Sequence, residues 1–122
     1  MNKKIPKIIK EWSMAIQHRN PRQMLSFYAP ESILLATYET ICVGKGEIFD
    51  YFIEFLDKKN LRCEITKNLT QVSYNKDTMV ASGLYTFSFT DEQGKDQEVE
   101  ARYSYVISGG YIINHHSSED PK

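Results

Sequence analysis

The sequence has little cysteine, no excess of either charge and no long apolar run. Its 2 cysteines, Cys42 and Cys63, are too few for a disulfide scaffold and match no metal-ligand spacing. We therefore expect reduced thiols in a cytoplasmic protein, with no metal and no other cofactor. The ordinary balance of 41% hydrophobic and 25% charged residues excludes collagen-like, low-complexity and disordered chains.

The charge and the length of the chain narrow its class further. With 15 Lys+Arg against 16 Asp+Glu the net charge is -1, which gives no reason to expect nucleic acid or a membrane surface as a partner. Pro6 and the N-terminal lysines interrupt any signal-peptide core, and no run of about 20 apolar residues exists that would span a membrane. Its 122 residues predict a single domain over 1–122, since one domain usually takes roughly 100 to 200 residues.

The first half of the sequence shows mainly helical spacing. Apolar residues at helical intervals predict an amphipathic helix that buries Trp12. The pair Asn20-Pro21 is a typical helix start. The predicted elements are, in order, a helix over Ile5–Arg19, a short helix from Pro21 that ends by Pro30, strands over Ile33–Tyr38 and Ile41–Val43, and a helix over Glu47–Lys59 capped by Asn60.

After Leu61 the hydrophobic period changes to two, which is typical of strands. Alternating runs begin at Leu61, Met79 and Glu98, and a fourth strand is predicted over Tyr111–Ser118. Helices followed by an antiparallel meander indicate an α+β fold with the helices on one face of the sheet. The run from Met79 would span roughly 40 Å, so it has to bend, and Gly83 is the expected place.

Several motifs together resemble one known family. They are the helix with Trp12, the strand Ala101-Arg102-Tyr103-Ser104-Tyr105-Val106, and the terminal His115-His116-Ser117-Ser118 followed by Pro121. The sequence resembles the association (hub) domain of calcium/calmodulin-dependent protein kinase II and its free-standing bacterial relatives, within the nuclear transport factor 2-like superfamily. The resemblance implies a cone-shaped, cystatin-like fold, in which a strongly curved antiparallel sheet wraps around the N-terminal helices and leaves a pocket. It also implies dimer or ring assembly through the outer face of the sheet.

The resemblance further suggests where a ligand binds. In the kinase hub the arginine matching Arg102 lies in the pocket beside two further arginines, and the cluster receives small carboxylates, for which a planar guanidinium is well suited. Leu84 and Ser117 stand at the other two arginine positions. The predicted ligand-binding residues are Arg102, His115, Ser117, Trp12 and Tyr51. A structural pairing of Arg102 with a buried acid is the alternative.

Two functions remain open on the sequence. One is a non-catalytic, homo-oligomeric association module with a pocket for a small carboxylate or another polar ligand. The other is a small isomerase, dehydratase or polyketide cyclase that works in the same pocket by acid/base chemistry from His115 or Asp50. No kinase catalytic signature is present.

Strand alternation also predicts an interface. It places five aromatic residues on the side of the sheet opposite Arg102: Tyr85, Phe87, Phe89, Tyr103 and Tyr105. If that side is the outer one, a monomer would expose a contiguous aromatic surface, so we expect at least a homodimer. In the inverted arrangement these aromatics form the concave core and Arg102 lies outside.

Overall fold

The computed structural model describes residues 3–37 and 40–121. Tyr38, the predicted end of one strand, lies outside these ranges. Within them, no helix combines the length and the hydropathy that a membrane span requires. The elements are α1 Lys7–Ala15, a 3-10 turn Ile16–His18, α2 Pro21–Leu25, β1 Tyr28–Leu35, β2 Ile41–Val43, α3 Gly44–Phe55, β3 Lys59–Val72, β4 Thr78–Thr90, β5 Asp96–Ser108 and β6 Tyr111–Glu119.

The predicted start of α2 at Pro21 and the burial of Trp12 are confirmed. In α1 the apolar stripe faces inward, and Trp12 is 2% exposed. The Asn20 side chain accepts hydrogen bonds from the backbone N–H groups of Arg22 and Gln23 at 3.0 and 3.3 Å, and Pro21 is the first residue of α2. These are the contacts that satisfy the free donors of a first helical turn.

Several predicted element boundaries are wrong. Strand β1 begins at Tyr28, so Pro30 lies inside it rather than ending α2. Tyr28 pairs with Ile112 of β6. These two residues are far apart in the sequence, so no local sequence pattern indicates that they pair. Helix α3 runs from Gly44 to Phe55 rather than from Glu47 to Lys59. Asn60 lies in β3 with a φ of 58°, a left-handed conformation that asparagine tolerates.

The strands form one six-stranded sheet in the order β2-β1-β6-β5-β4-β3. The meander from β3 to β6 is antiparallel, as predicted, and so is the β1–β2 pair. The pairing of β1 with β6 is parallel, so the sheet is mixed rather than wholly antiparallel. The α+β class with N-terminal helices is confirmed.

Gly83 lies where β4 passes a β-bulge in β3. The register shifts between Ile65 and Lys67, which leaves one extra residue in β3. A Cβ atom added to Gly83 would stand 1.9 Å from the Lys67 carbonyl oxygen and 2.8 Å from the Tyr103 hydroxyl. Glycine is therefore needed here because the two backbones approach closely.

The five predicted interface aromatics line the core, so that prediction is wrong. The Trp12 ring contacts rings from three strands, with centroid distances of 6.0 Å to Tyr85, 5.8 Å to Tyr105 and 5.4 Å to His115. Phe87 and Tyr103 are also buried, and Phe89 is half-buried. Alternation separates the two faces of a strand, but the helices decide which face is covered, and here they cover the aromatic one.

Candidate functional site

An apolar cleft of about 260 Å³ opens beside α3. Its apolar lining consists of Tyr51, Phe55, Leu61, Phe87, Phe89 and Val99, and its polar lining of Thr37, Thr40, Glu54 and Lys58. Sites for drug-sized ligands usually measure about 300 to 1,000 Å³. This cleft therefore suits a smaller molecule with a mainly apolar body.

Regular spacing in two elements builds the walls of the cleft. Glu54 and Phe55 follow Tyr51 by three and four residues, which places the three side chains on one side of α3. Lys58 lies in the turn after this helix. Phe87 and Phe89 point to the same face of β4. Val99 of β5 stands opposite Phe87 in the register. The helix side and the strand face enclose the apolar space between them.

The cleft narrows inward to a polar floor. A small extension shares Thr37, Tyr51, Phe55 and Phe87 with the cleft and reaches Trp12, Tyr85, His115 and Ser117. At the junction the hydroxyl oxygens of Thr37 and Ser117 are 2.8 Å apart and share a hydrogen bond. A ligand in the cleft thus meets hydroxyl groups at its inner end.

Below this floor, His115 belongs to a hydrogen-bond network. Trp12 Nε1 donates to the Tyr28 hydroxyl at 3.1 Å, and that hydroxyl is 2.9 Å from His115 Nδ1. Since the indole N–H can only donate, the Tyr28 oxygen accepts this hydrogen bond. The Tyr85 hydroxyl lies 3.2 Å from His115 Nε2, so each ring nitrogen of His115 has a hydroxyl partner.

Burial keeps this network uncharged. Desolvation, assisted by the neighbouring His116, lowers the pKa of His115 to about 3, so the ring is neutral near pH 7. Desolvation also raises the pKa of the Tyr28 and Tyr85 hydroxyls. The His115 ring is stacked on Tyr105 at a centroid distance of 3.9 Å, which fixes its orientation. This histidine orders the core.

Arg102 does not join the cleft, and its predicted place in the pocket is wrong. The side chain is exposed on the outer face of the sheet. Directly opposed residues of an antiparallel pair share a face, and Arg102 pairs with Ser118, whereas Ser117 pairs with Tyr103. Among the described residues Arg102 forms no ion pair within 4 Å, so the alternative of an acid partner is not met either.

The other predicted ligand residues do come together. Trp12, His115 and Ser117 line the inner extension, and Tyr51 lines both spaces. Asp50 is exposed and is not among the described lining residues. Sequence reasoning missed Lys58 at the mouth and Thr37 at the floor. Helical spacing from Tyr51 to Lys58 was the available signal.

Comparisons with known proteins agree with the geometry. The family model for the calcium/calmodulin dependent protein kinase II association domain matches residues 1–121. A Xanthomonas campestris protein described as a proposed association domain of that kinase is 31% identical, with 100% of this chain and 96% of that chain covered and a TM-score of 0.86. Among curated proteins the search finds no match.

More distant structures share the fold. A nuclear transport factor 2-like protein from Salmonella enterica is 17% identical, with 95% and 88% of the two chains covered and a TM-score of 0.79. A proposed dehydratase of the same superfamily from Streptomyces avermitilis is 12% identical, with 94% and 93% covered and a TM-score of 0.83. Similarity at this level concerns the fold alone.

Proposed function

The chain belongs to the calcium/calmodulin-dependent protein kinase II association domain family, and on that premise we propose that it is a non-catalytic module that forms homo-oligomers and binds a small polar or anionic ligand in its cleft. The observation that carries this proposal is the uncovered outer face of the sheet. Both cysteines are free, which supports a reducing, cytoplasmic location.

The outer face carries apolar side chains that meet solvent. Ile41 and Val43 of β2 are 63% and 56% exposed, and Ile113 of β6 is 39% exposed. Leu35 and Ile33 of β1 stand opposite Ile41 and Val43 in the register, so the patch is continuous across two strands. Contiguous apolar patches of this kind mark interfaces.

A second copy of the chain is the partner that fits this face. Closed twofold pairing buries the same patch on both subunits. Arg102 and Glu100 are both exposed and lie two positions apart on the same side of β5. In a twofold arrangement the arginine of one copy can therefore meet the carboxylate of the other. We therefore propose a role for Arg102 in assembly instead of ligand binding.

The two residues that the sequence nominated for acid/base catalysis do not support the enzyme alternative. His115 is neutral and fully engaged by Tyr28 and Tyr85. Asp50 is exposed and is not among the described residues that line the cleft. Acid/base catalysis needs a titratable group within reach of the substrate, and neither nominated residue meets this requirement, so a binding role is the better proposal.

Light scattering at micromolar concentration tests the assembly. We expect a mass of at least twice 14.2 kDa for the wild type and about 14.2 kDa for Ile41→Glu. Ile41 belongs to the apolar patch and is 63% exposed, so the monomer of this variant should remain folded. Met14→Glu, at a residue of α1 that is 57% exposed, is the matched control and should keep the wild-type mass. A monomeric wild type would refute assembly, and an oligomeric Ile41→Glu would place the interface elsewhere.

A further inference from the structure

We infer that His116 makes assembly through the outer face of the sheet sensitive to pH: two copies associate while this histidine is neutral and separate when it is protonated. This inference rests on the proposed assembly and deepens it, since it names the regulation of that same surface. It follows from where the strand register places His116, from the charges near it, and from what association does to a charged ring.

His116 lies on the outer face, at the margin of the apolar patch. It is exposed, whereas the preceding His115 is buried, because successive side chains of a strand alternate between the two faces. The register sets His116 beside Leu35 of β1 and opposite Ser104 of β5. Ile41 of β2 stands opposite Leu35 in turn. A second copy that covers Ile41 and Leu35 therefore covers His116 as well.

The charged residue nearest to His116 in the register is a cation. Ser104 stands opposite His116, and Arg102 lies two positions from Ser104 on the same face of β5. Diagonal neighbours of this kind are about 7 to 8 Å apart, within reach of a long arginine side chain, and Arg102 is exposed too. Protonation of His116 therefore places a second positive charge near Arg102.

The other residues around His116 do not offset this charge. β1 and β2 bring the apolar patch, and the uncharged neighbours on the other strands are Ser82 of β4 and Asn114 and Ser118 of β6. Among the described residues of this face, the first carboxylates along β1, β5 and β6 come four positions away, at Glu31, Glu100 and Asp120. Four positions of a strand measure roughly 13 Å, and salt screens exposed charges beyond about 8 Å.

Association would remove His116 from water, which favours its neutral form. A neutral imidazole donates one hydrogen bond and accepts another, so uncharged groups such as the Ser104 hydroxyl can satisfy it. An imidazolium would lose its hydration beside Leu35 and Ile41 and would lie near Arg102, and burial of an unpaired charge is costly. The ring therefore releases its proton when two copies associate, so assembly weakens as the pH falls.

The expected effect is large because each subunit of a dimer contributes one histidine. An ordinary histidine is about nine-tenths protonated at pH 5.5 and about one-tenth protonated at pH 7.5. The release of this proton weakens association by about tenfold for each subunit, which gives about 100-fold in the dissociation constant of the dimer between these pH values. Other side chains with ordinary titration keep their charge over this range.

Light scattering of a dilution series at pH 7.5 and at pH 5.5 tests this inference. For the wild type we expect the dissociation constant to rise about 100-fold at pH 5.5. His116→Gln keeps a donor and an acceptor without titrating, so its constant should be nearly the same at both pH values. His116→Lys carries a permanent charge and should associate weakly at both. Because His116 is exposed, both variants should fold, and circular dichroism at each pH checks this.

A control variant and three outcomes complete the design. His18→Gln, at an exposed histidine of the 3-10 turn, should keep the wild-type rise. A wild-type dimer whose dissociation constant is unchanged or lower at pH 5.5 would refute the pH sensitivity while the assembly stands. A rise that persists in His116→Gln would refute the role of His116, because another group would then cause it. A wild type that is monomeric at both pH values would mean that the proposed assembly itself fails.

Discussion

Protonation of His115 should destabilise the folded protein over a defined range of pH. The two nitrogens of the buried ring form hydrogen bonds with the hydroxyls of Tyr28 and Tyr85, and in the neutral ring one nitrogen donates while the other accepts. An imidazolium would donate from both nitrogens, so the hydrogen bond that the neutral ring accepts would be lost. Burial and the loss of this arrangement both oppose the charged form.

The magnitude follows from the two pKa values. His115 has a pKa of about 3 in the folded protein and about 6.5 when unfolded. Between these values the unfolded state binds a proton that the folded state does not, so the free energy of unfolding decreases as the pH falls from about 6.5 to about 3. The slope is about 1.4 kcal/mol per pH unit and the total about 5 kcal/mol. Above pH 6.5 or so the contribution is constant. Since domains are stable by about 5 to 15 kcal/mol, the loss is large.

Urea unfolding between about pH 7 and pH 4, followed by the fluorescence of the single tryptophan, measures this slope. His115→Gln keeps one donor and one acceptor but does not titrate. This variant should therefore be less stable than the wild type near neutral pH. Its free energy of unfolding should also depend less steeply on pH, by about 1.4 kcal/mol per pH unit. His18→Gln, at an exposed histidine outside this network, should keep the wild-type slope.

Equal slopes in the wild type and His115→Gln would refute the reasoning. So would an NMR titration in which the folded His115 ring titrates near pH 6.5, a measurement that does not depend on whether the variant folds.

Two further predictions concern the packing of the core. The buried Tyr105 hydroxyl has no hydrogen-bond partner in the described part of the chain, so Tyr105→Phe should leave the melting temperature unchanged or raise it. Tyr103→Phe, which loses a 2.7 Å bond to Asn68 Oδ1, should cost about 1 kcal/mol, and the opposite ranking in thermal melts would contradict both assignments. Gly83→Ala should cost about 1 to 3 kcal/mol or more by overpacking against Lys67. Gly46→Ala in α3, where an added Cβ meets nothing within 4 Å, should be neutral or stabilising, so equal effects of the two alanines would argue against a close approach at Gly83.

The sequence by itself determined the local features of the fold. The amphipathic helix with Trp12 and the Asn20-Pro21 helix start are visible in sequence because helical spacing and capping act within one or two turns. The strand meander is visible because alternation with a period of two is equally local. The family resemblance was carried by short motifs of the same kind.

Only the tertiary structure decided which face of the sheet is inside. Alternation places the side chains of Arg102 and Tyr103 on opposite faces of the sheet, but it does not say which of the two faces the helices. A shift of one residue in the strand register would move every side chain of the strand to the other face. The observed register sets Arg102 beside Ser118 and away from His115. Lys58 became a site residue because α3 and β4, distant in sequence, bring Phe55 and Phe89 around its ammonium. Such contacts depend on pairing and packing between remote segments, which no local pattern encodes.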